Sequence, residues 1–158
     1  MQRKYRLPNG KKLIIKNQPL VVFEQYKQIR GTDPESGGIL IGRILVENGN
    51  YILDTVTEPM YDDKQTRYSF FRSYKGHNEY YEEYLKKMDY RSFYFGEWHT
   101  HPEADPTPST VDKRDWERIS KLQYDSQYLF FVIQGIQEIR IWCADLYNKQ
   151  LTPLYEIK

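Results

Sequence analysis

Hydrophobic and polar positions along this chain follow two different periods, and the changes between them mark out its elements. Short apolar, β-branched runs occur in KKLIIK (residues 11–16), GGILIGRILVE (37–47), YILDTVTEP (51–59), YSFFRS (68–73), SFYFGEWHTHP (92–102) and YLFFVIQG (128–135). Bounded by Gly, Pro, Asn and Asp, such runs predict strands. Glu47-Asn48-Gly49-Asn50 joins the second run to the third as a hairpin. The final IRIWCADLYNKQLTPLYEIK (139–158) predicts one or two more strands. Between the strands the spacing becomes helical. Pro19 opens a helix through Val21, Val22, Tyr26 and Ile29 that stops near Gly31. GHNEYYEEYLKKM (76–88) sets Tyr80, Tyr84 and Met88 on one face with charges opposite, and STVDKRDWERISKL (109–122) follows Pro102, Pro106 and Pro108 as a third helix.

Paired strands with intervening helices, and no GxGxxG or GxxxxGK[ST] phosphate loop, predict an α+β or mixed-sheet α/β domain without nucleotide machinery. At 158 residues the chain is expected to form a single domain over 1–158. A formal charge of +1 gives no electrostatic case for nucleic acid or an anionic membrane. The longest apolar run, Tyr128 to Ile133, is far short of a membrane span, and the start MQRKYRLPNGKK has no apolar segment behind its basic residues. A single cysteine, Cys143, excludes an intramolecular disulfide and fits a reducing cytoplasm.

Candidate chemistry is concentrated in GEWHTHPEADPTPSTVDKRDW (96–116), which holds two of the three histidines. On a strand alternate residues share a face, so His99 and His101 project together, about 7 Å apart along the backbone. Two imidazoles on one face suit one zinc ion, and Asp112, one turn into the following helix, offers a carboxylate as third ligand. Three protein ligands leave a fourth tetrahedral position for water, whose pKa zinc lowers towards ~7. Hydrolysis then needs a base and an oxyanion donor. Glu35, in the loop before GGILIG, is the candidate base, and Ser109 the candidate donor. Each part also has a plain reading: Ser109-x-x-Asp112 is a capping-box signal, and Glu35 alone is a loop acid. Glu97 shares the histidines' face and competes as base. Glu35 is preferred because a base on a separate strand stands across the water, whereas Glu97 reads best as a salt-bridged strand acid.

These residues resemble the JAB/MPN-domain metalloproteases that carry the JAMM motif, a distant glutamate followed by HxH, seven residues, then SxxD. Here the motif is Glu35, His99, His101, Ser109 and Asp112, and the likeness runs from about Val21 to Leu154. The resemblance implies a curved mixed sheet flanked by helices and zinc held by His99, His101 and Asp112. It makes Glu35 the general base and Ser109 the oxyanion stabiliser. It also implies cleavage of isopeptide or peptide bonds after the C-terminus of a ubiquitin-like protein. GEWHTHPE with PTPS, RYSFFRS and the compact length look more narrowly like the bacterial deconjugating peptidases found beside E1- and E2-like enzymes in anti-phage systems such as type II CBASS. Such a peptidase would take a ubiquitin-like or similarly conjugated protein as partner, a cyclic-nucleotide synthase among the candidates.

The same site could process a sulfur-carrier or precursor tail. A cysteine enzyme would need Cys143, which reads as core packing. A non-catalytic binding module would use the aromatic stretches Tyr80 to Tyr84 and Tyr68 to Phe71. His77 reads as solvent-facing at a helix start. For the substrate tail, loop 61–67 and strand 68–73 are the expected docking edge, with Arg67 or Arg72 meeting acidic groups of the partner.

Overall fold

A computed structural model describes residues 1–158. Ten strands and three helices occur in the order β1 (Arg3–Arg6), β2 (Lys12–Ile15), α1 (Asn17–Gln25), β3 (Gly37–Ile44), β4 (Tyr51–Val56), β5 (Lys64–Thr66), β6 (Ser69–Phe71), α2 (Tyr74–Lys87), β7 (Phe93–Thr100), α3 (Thr110–Ser120), β8 (Tyr128–Gln134), β9 (Ile139–Asp145) and β10 (Leu151–Leu154). Eight strands form one mixed sheet in the order β1-β2-β4-β3-β7-β8-β9-β10. The pairs β2 with β4 and β7 with β8 are parallel, and the others are antiparallel. A parallel pair needs a crossover; α3 supplies it between β7 and β8, which sets α3 beside the end of β7. The sheet curls until its two ends meet, through the bridge of Tyr5 with Glu156 and the bond from Ile157 N to Lys4 O. The fold class expected from the sequence, a curved mixed sheet flanked by helices, is the one observed.

Curling creates an inside and an outside, each with its own core. Inside lie Phe23 of α1, Leu40, Leu53, Phe95, Trp98, Phe130 and Ile141. Outside, Trp116 and Ile119 of α3 cover Leu129, Phe131 and Ile133. Every residue of β8 is therefore buried, which is why YLFFVIQ reads as unbroken apolar sequence and not as alternation. Cys143 belongs to the inner core, where burial pushes its thiol pKa up and makes it a poor nucleophile.

Several elements differ from expectation in detail. The first helix ends at Gln25, and Ile29 lies beyond it, exposed. The polar stretch before YSFFRS contains β5, paired with β6 in a hairpin separate from the main sheet. The inward face of α2 is led by His77, with Tyr81, Tyr84 and Leu85 half-buried, and Tyr80 and Met88 fall at its margin. His77 is fully buried, not solvent-facing. Thr57 Oγ1 accepts from Ile39 N at 2.9 Å, so its own proton points at His77 Nδ1, 2.7 Å away. The Nε2–H of His77 then donates to Asp63 at 2.7 Å. A neutral ring satisfies every bond, and burial depresses its pKa against the pull of Asp63.

One irregularity decides where the histidines face. Between Leu40 and Ile41 the pairing of β3 with β7 skips a residue, and opposite it stands Gly96 with φ of 123°. A side chain there would meet Phe130 O at 1.9 Å, so only glycine fits. The bulge shifts the alternation by one position. Phe95 and Trp98 both point inward, and Glu97, His99 and His101 all face out towards α3.

Candidate metal centre

Ser109 caps α3 and Asp112 stands at the third helical position in a reciprocal capping box: Asp112 N donates to Ser109 Oγ at 3.0 Å, and Ser109 N donates to Asp112 Oδ2 at 2.8 Å. The capping reading and the ligand reading turn out to be compatible. Trp116, one turn further on the same helix face, stacks on Phe131 with ring centroids 4.9 Å apart. That packing fixes the helix so that the Asp112 carboxylate reaches back over β7.

There it meets both histidines. Asp112 Oδ1 is 3.2 Å from His99 Nε2, Oδ2 is 3.1 Å from His101 Nε2, and the two Nε2 atoms are 3.0 Å apart. Zinc bonds of about 2.0–2.1 Å in a tetrahedron require neighbouring donor atoms to stand roughly 3.3 Å apart, so this donor set fits zinc with a shift of a few tenths of an ångström. Glu35 approaches from the other side, its Oε1 3.8 Å from His101 Nε2. Donor atoms of Glu35, His99 and His101 lie within 4.8 Å of one another. All four side chains face one cavity of about 710 Å³, with Ser109 on its rim.

The electrostatics are those of a cluster arranged for a cation. Burial alone would lower the pKa of His101, yet Asp112, Glu103 and Glu35 outweigh it and raise the pKa to about 9. Burial would raise Asp112, but hydrogen bonds from His101 and His99 hold it well below the ordinary carboxylate range. Glu35 is pushed up to about 7, chiefly by burial, with the two histidines opposing.

The structure brings together all five residues singled out by sequence: Glu35, His99, His101, Ser109 and Asp112. It sets Glu97 aside as a base, since Arg72 donates to it at 2.8 Å through Nε and stands 2.7 Å away at Nη2. The same pair removes Arg72 as a free contact for acidic partners. Arg67 is engaged as well, donating to the carbonyls of Arg30 at 2.8 Å and Asp33 at 3.4 Å. Sequence reasoning missed Glu103, which accepts a 2.7 Å hydrogen bond from His101 Nδ1. Its only sequence signal is a carboxylate two residues beyond a ligating histidine. It also missed Gln65, whose amide donates to Glu35 O at 2.9 Å, and the bond from Glu35 N to Thr66 O at 2.7 Å.

Comparison with known proteins identifies the family. The family model described as prokaryotic homologs of the JAB domain matches residues 25–144, a span that includes the whole site. Three curated proteins named CD-NTase/cGAS isopeptidase are similar. The one from Pseudomonas aeruginosa is 34% identical over 116 residues, 73% of this chain and 72% of that protein. The Escherichia coli protein is 32% identical over 105 residues, covering 66% and 65% of the two chains, and the Vibrio cholerae protein 34% over 94 residues, covering 59% and 58%. Among solved structures, a solution structure of a Desulfitobacterium hafniense protein superposes with a TM-score of 0.55 at 16% identity, over 92% of this chain and 88% of that one, a likeness of fold. The chain belongs to the JAB domain family, in its prokaryotic branch. No helix in it is long and apolar enough to cross a membrane.

Proposed function

We propose that the chain is a zinc-dependent isopeptidase, acting through a single domain over residues 1–158. It cleaves after the C-terminus of a ubiquitin-like protein, or of a protein conjugated in the same way, and so reverses E1/E2-type conjugation in a bacterial anti-phage system of the type II CBASS kind. The observation that carries this reading is the convergence of His99, His101 and Asp112 on one point, beside a separately anchored carboxylate, Glu35. The name shared by the similar curated proteins supports a CD-NTase as the conjugated partner.

His99, His101 and Asp112 would hold the zinc, in line with the fit of their spacing. When bound, zinc supplies a Lewis acid that polarises a substrate carbonyl and makes water more acidic. The chain's own groups do the rest. Glu35 takes a proton from the attacking water and delivers it to the departing amine, a transfer its place beside the ligands allows in both directions. Ser109 Oγ already accepts the Asp112 N–H, which leaves its hydroxyl proton free to donate to the oxyanion that develops on the carbonyl. The outer edge of β6 pairs with no other strand and borders the cavity. An extended tail can add there as a third strand of the hairpin, with its scissile bond carried towards His99.

The test uses the full chain, zinc-replete, with the folded conjugated protein fused through its C-terminus to a reporter. A single cut after the terminal residue, abolished by chelator and restored by zinc, is expected. Failure to cut either the fusion or a lysine conjugate under those conditions would overturn the proposal.

A further inference from the structure

Gln28 has no solvent exposure and lies outside every helix and strand, an unusual place for a side chain that needs three or four hydrogen bonds. It finds them in three separate segments. Its Nε2 donates to Arg67 O at 2.8 Å, at the turn of the β5–β6 hairpin, and to Asp33 O at 3.2 Å, in the loop that carries Glu35. Its Oε1 accepts from the Thr100 hydroxyl at 2.9 Å. Thr100 sits on β7 between the two histidines, and its Oγ1 in turn accepts from Ser36 N at 2.9 Å, while Thr100 N donates to Ser36 O at 2.9 Å. The backbone on either side of the Glu35 side chain is thus tied to β7 through Thr100 and to the hairpin through Thr66, Gln65 and Arg67.

We infer that Gln28 is a positioning residue for Glu35: by bonding the Glu35 loop, the histidine strand and the hairpin to one buried amide, it sets the carboxylate against the imidazoles and couples it to the hairpin's posture. The inference rests on the proposed role of Glu35 as base. Its physical consequence is that a chain docking on β6 loads the same network that places the base. Residues 30–36 belong to neither hydrophobic core and are held by polar bonds, and Gln28 is the one side chain that bonds all three segments at once.

The amide and hydroxyl can be removed separately. Gln28→Leu deletes the amide, and Thr100→Val deletes the hydroxyl while keeping its shape. In both, losing a buried hydrogen bond should speed amide exchange at Glu35 and Ser36 by about tenfold, with β8 amides unchanged. Thr100→Ser, which keeps the hydroxyl, should preserve that protection. Zinc content should stay native in all three, and turnover in the first two should fall about 10- to 100-fold through kcat with KM little changed, the signature of a displaced reacting group. Native protection of Glu35 and Ser36 in both Gln28→Leu and Thr100→Val would overturn the inference. So would loosening that spreads equally into β8, because it would make Gln28 a general stabiliser. A native chain without turnover would sink the functional reading alone, since exchange and zinc content still decide the anchoring.

Discussion

The two walls of the site are built by different physics. The wall carrying His99, His101 and Asp112 stands on hydrophobic packing: β7 lies between two cores, and α3 is pressed onto the outer one by Trp116, which meets Phe131 at 4.9 Å and Trp142 at 5.3 Å. The opposite wall, with Glu35, the loop before β3 and the β5–β6 hairpin, hangs on side-chain amides and backbone polar atoms. Packing of the first kind gives a preformed, stiff ligand set, which metal binding needs. Hydrogen bonds of the second kind have small net free energies and open locally at modest expense. A rigid ligand wall facing a more yielding base wall would suit the proposed docking of an extended tail beside the site.

The largest test of this contrast is Trp116→Ala. Removing a buried tryptophan should destabilise the fold by about 3–5 kcal/mol. It should also weaken zinc binding, because α3 no longer holds Asp112 in place. Denaturant unfolding with zinc analysis checks both, and native zinc affinity in this variant would mean that the outer core does not set the ligands. Next is Ser109→Ala, where kcat should fall roughly 10²–10³-fold, the usual loss of one oxyanion donor. Zinc should remain, and the lost cap should lower stability by about 1 kcal/mol. A change in zinc content without a change in kcat would assign Ser109 to the metal wall alone.

Glu103→Ala comes third. A carboxylate that orients a ligating imidazole is typically worth about 10- to 100-fold in metal affinity. Chelator competition should show a loss in that range, and Glu103→Gln, which still offers an oxygen to Nδ1, should recover part of it. Smallest per step is the pH effect. His101 in the folded metal-free chain keeps its proton up to about 9, above the unfolded value of 6.5. The stability it contributes is complete below pH 6.5 and is lost as pH rises through 9. Zinc bound at His101 would displace that proton, so zinc affinity should climb by up to about tenfold per pH unit across the same window. A metal-free chain whose stability does not fall between pH 7 and 9 would contradict this account of the cluster.

The same contrast explains what could be read from sequence. The ligand wall follows local pattern: alternation places His99 with His101, a capping signal places Asp112, and apolar runs announce both β7 and β8. Even the bulge left a trace, as a glycine inside a strand. The base wall depends on contacts between distant positions. Gln28 meets Thr100 across 72 residues and Arg67 across 39, and nothing in the composition of TDPES or YDDKQTR signals those bonds. Glu35 was reached by asking which acid on a separate strand could stand across the water, and by its place in the motif, while the bonds that hold it left no sign. His77 was misjudged for the same reason, since its polar neighbours in sequence are not its neighbours in space, where Thr57 and Asp63 enclose it. Arg67 and Arg72, free by sequence, proved to be committed to carbonyls and to Glu97.

Zinc stoichiometry in two single variants tests the central claim most directly, because Glu35 and Asp112 both lie within reach of the histidines and only one is held to be a ligand. Elemental analysis of protein purified without chelator should find one zinc per native chain and one per Glu35→Gln chain, the latter without turnover, and little or none in Asp112→Ala. Zinc lost from Glu35→Gln but kept in Asp112→Ala, or no zinc in the native chain even after zinc is supplied, would contradict the account.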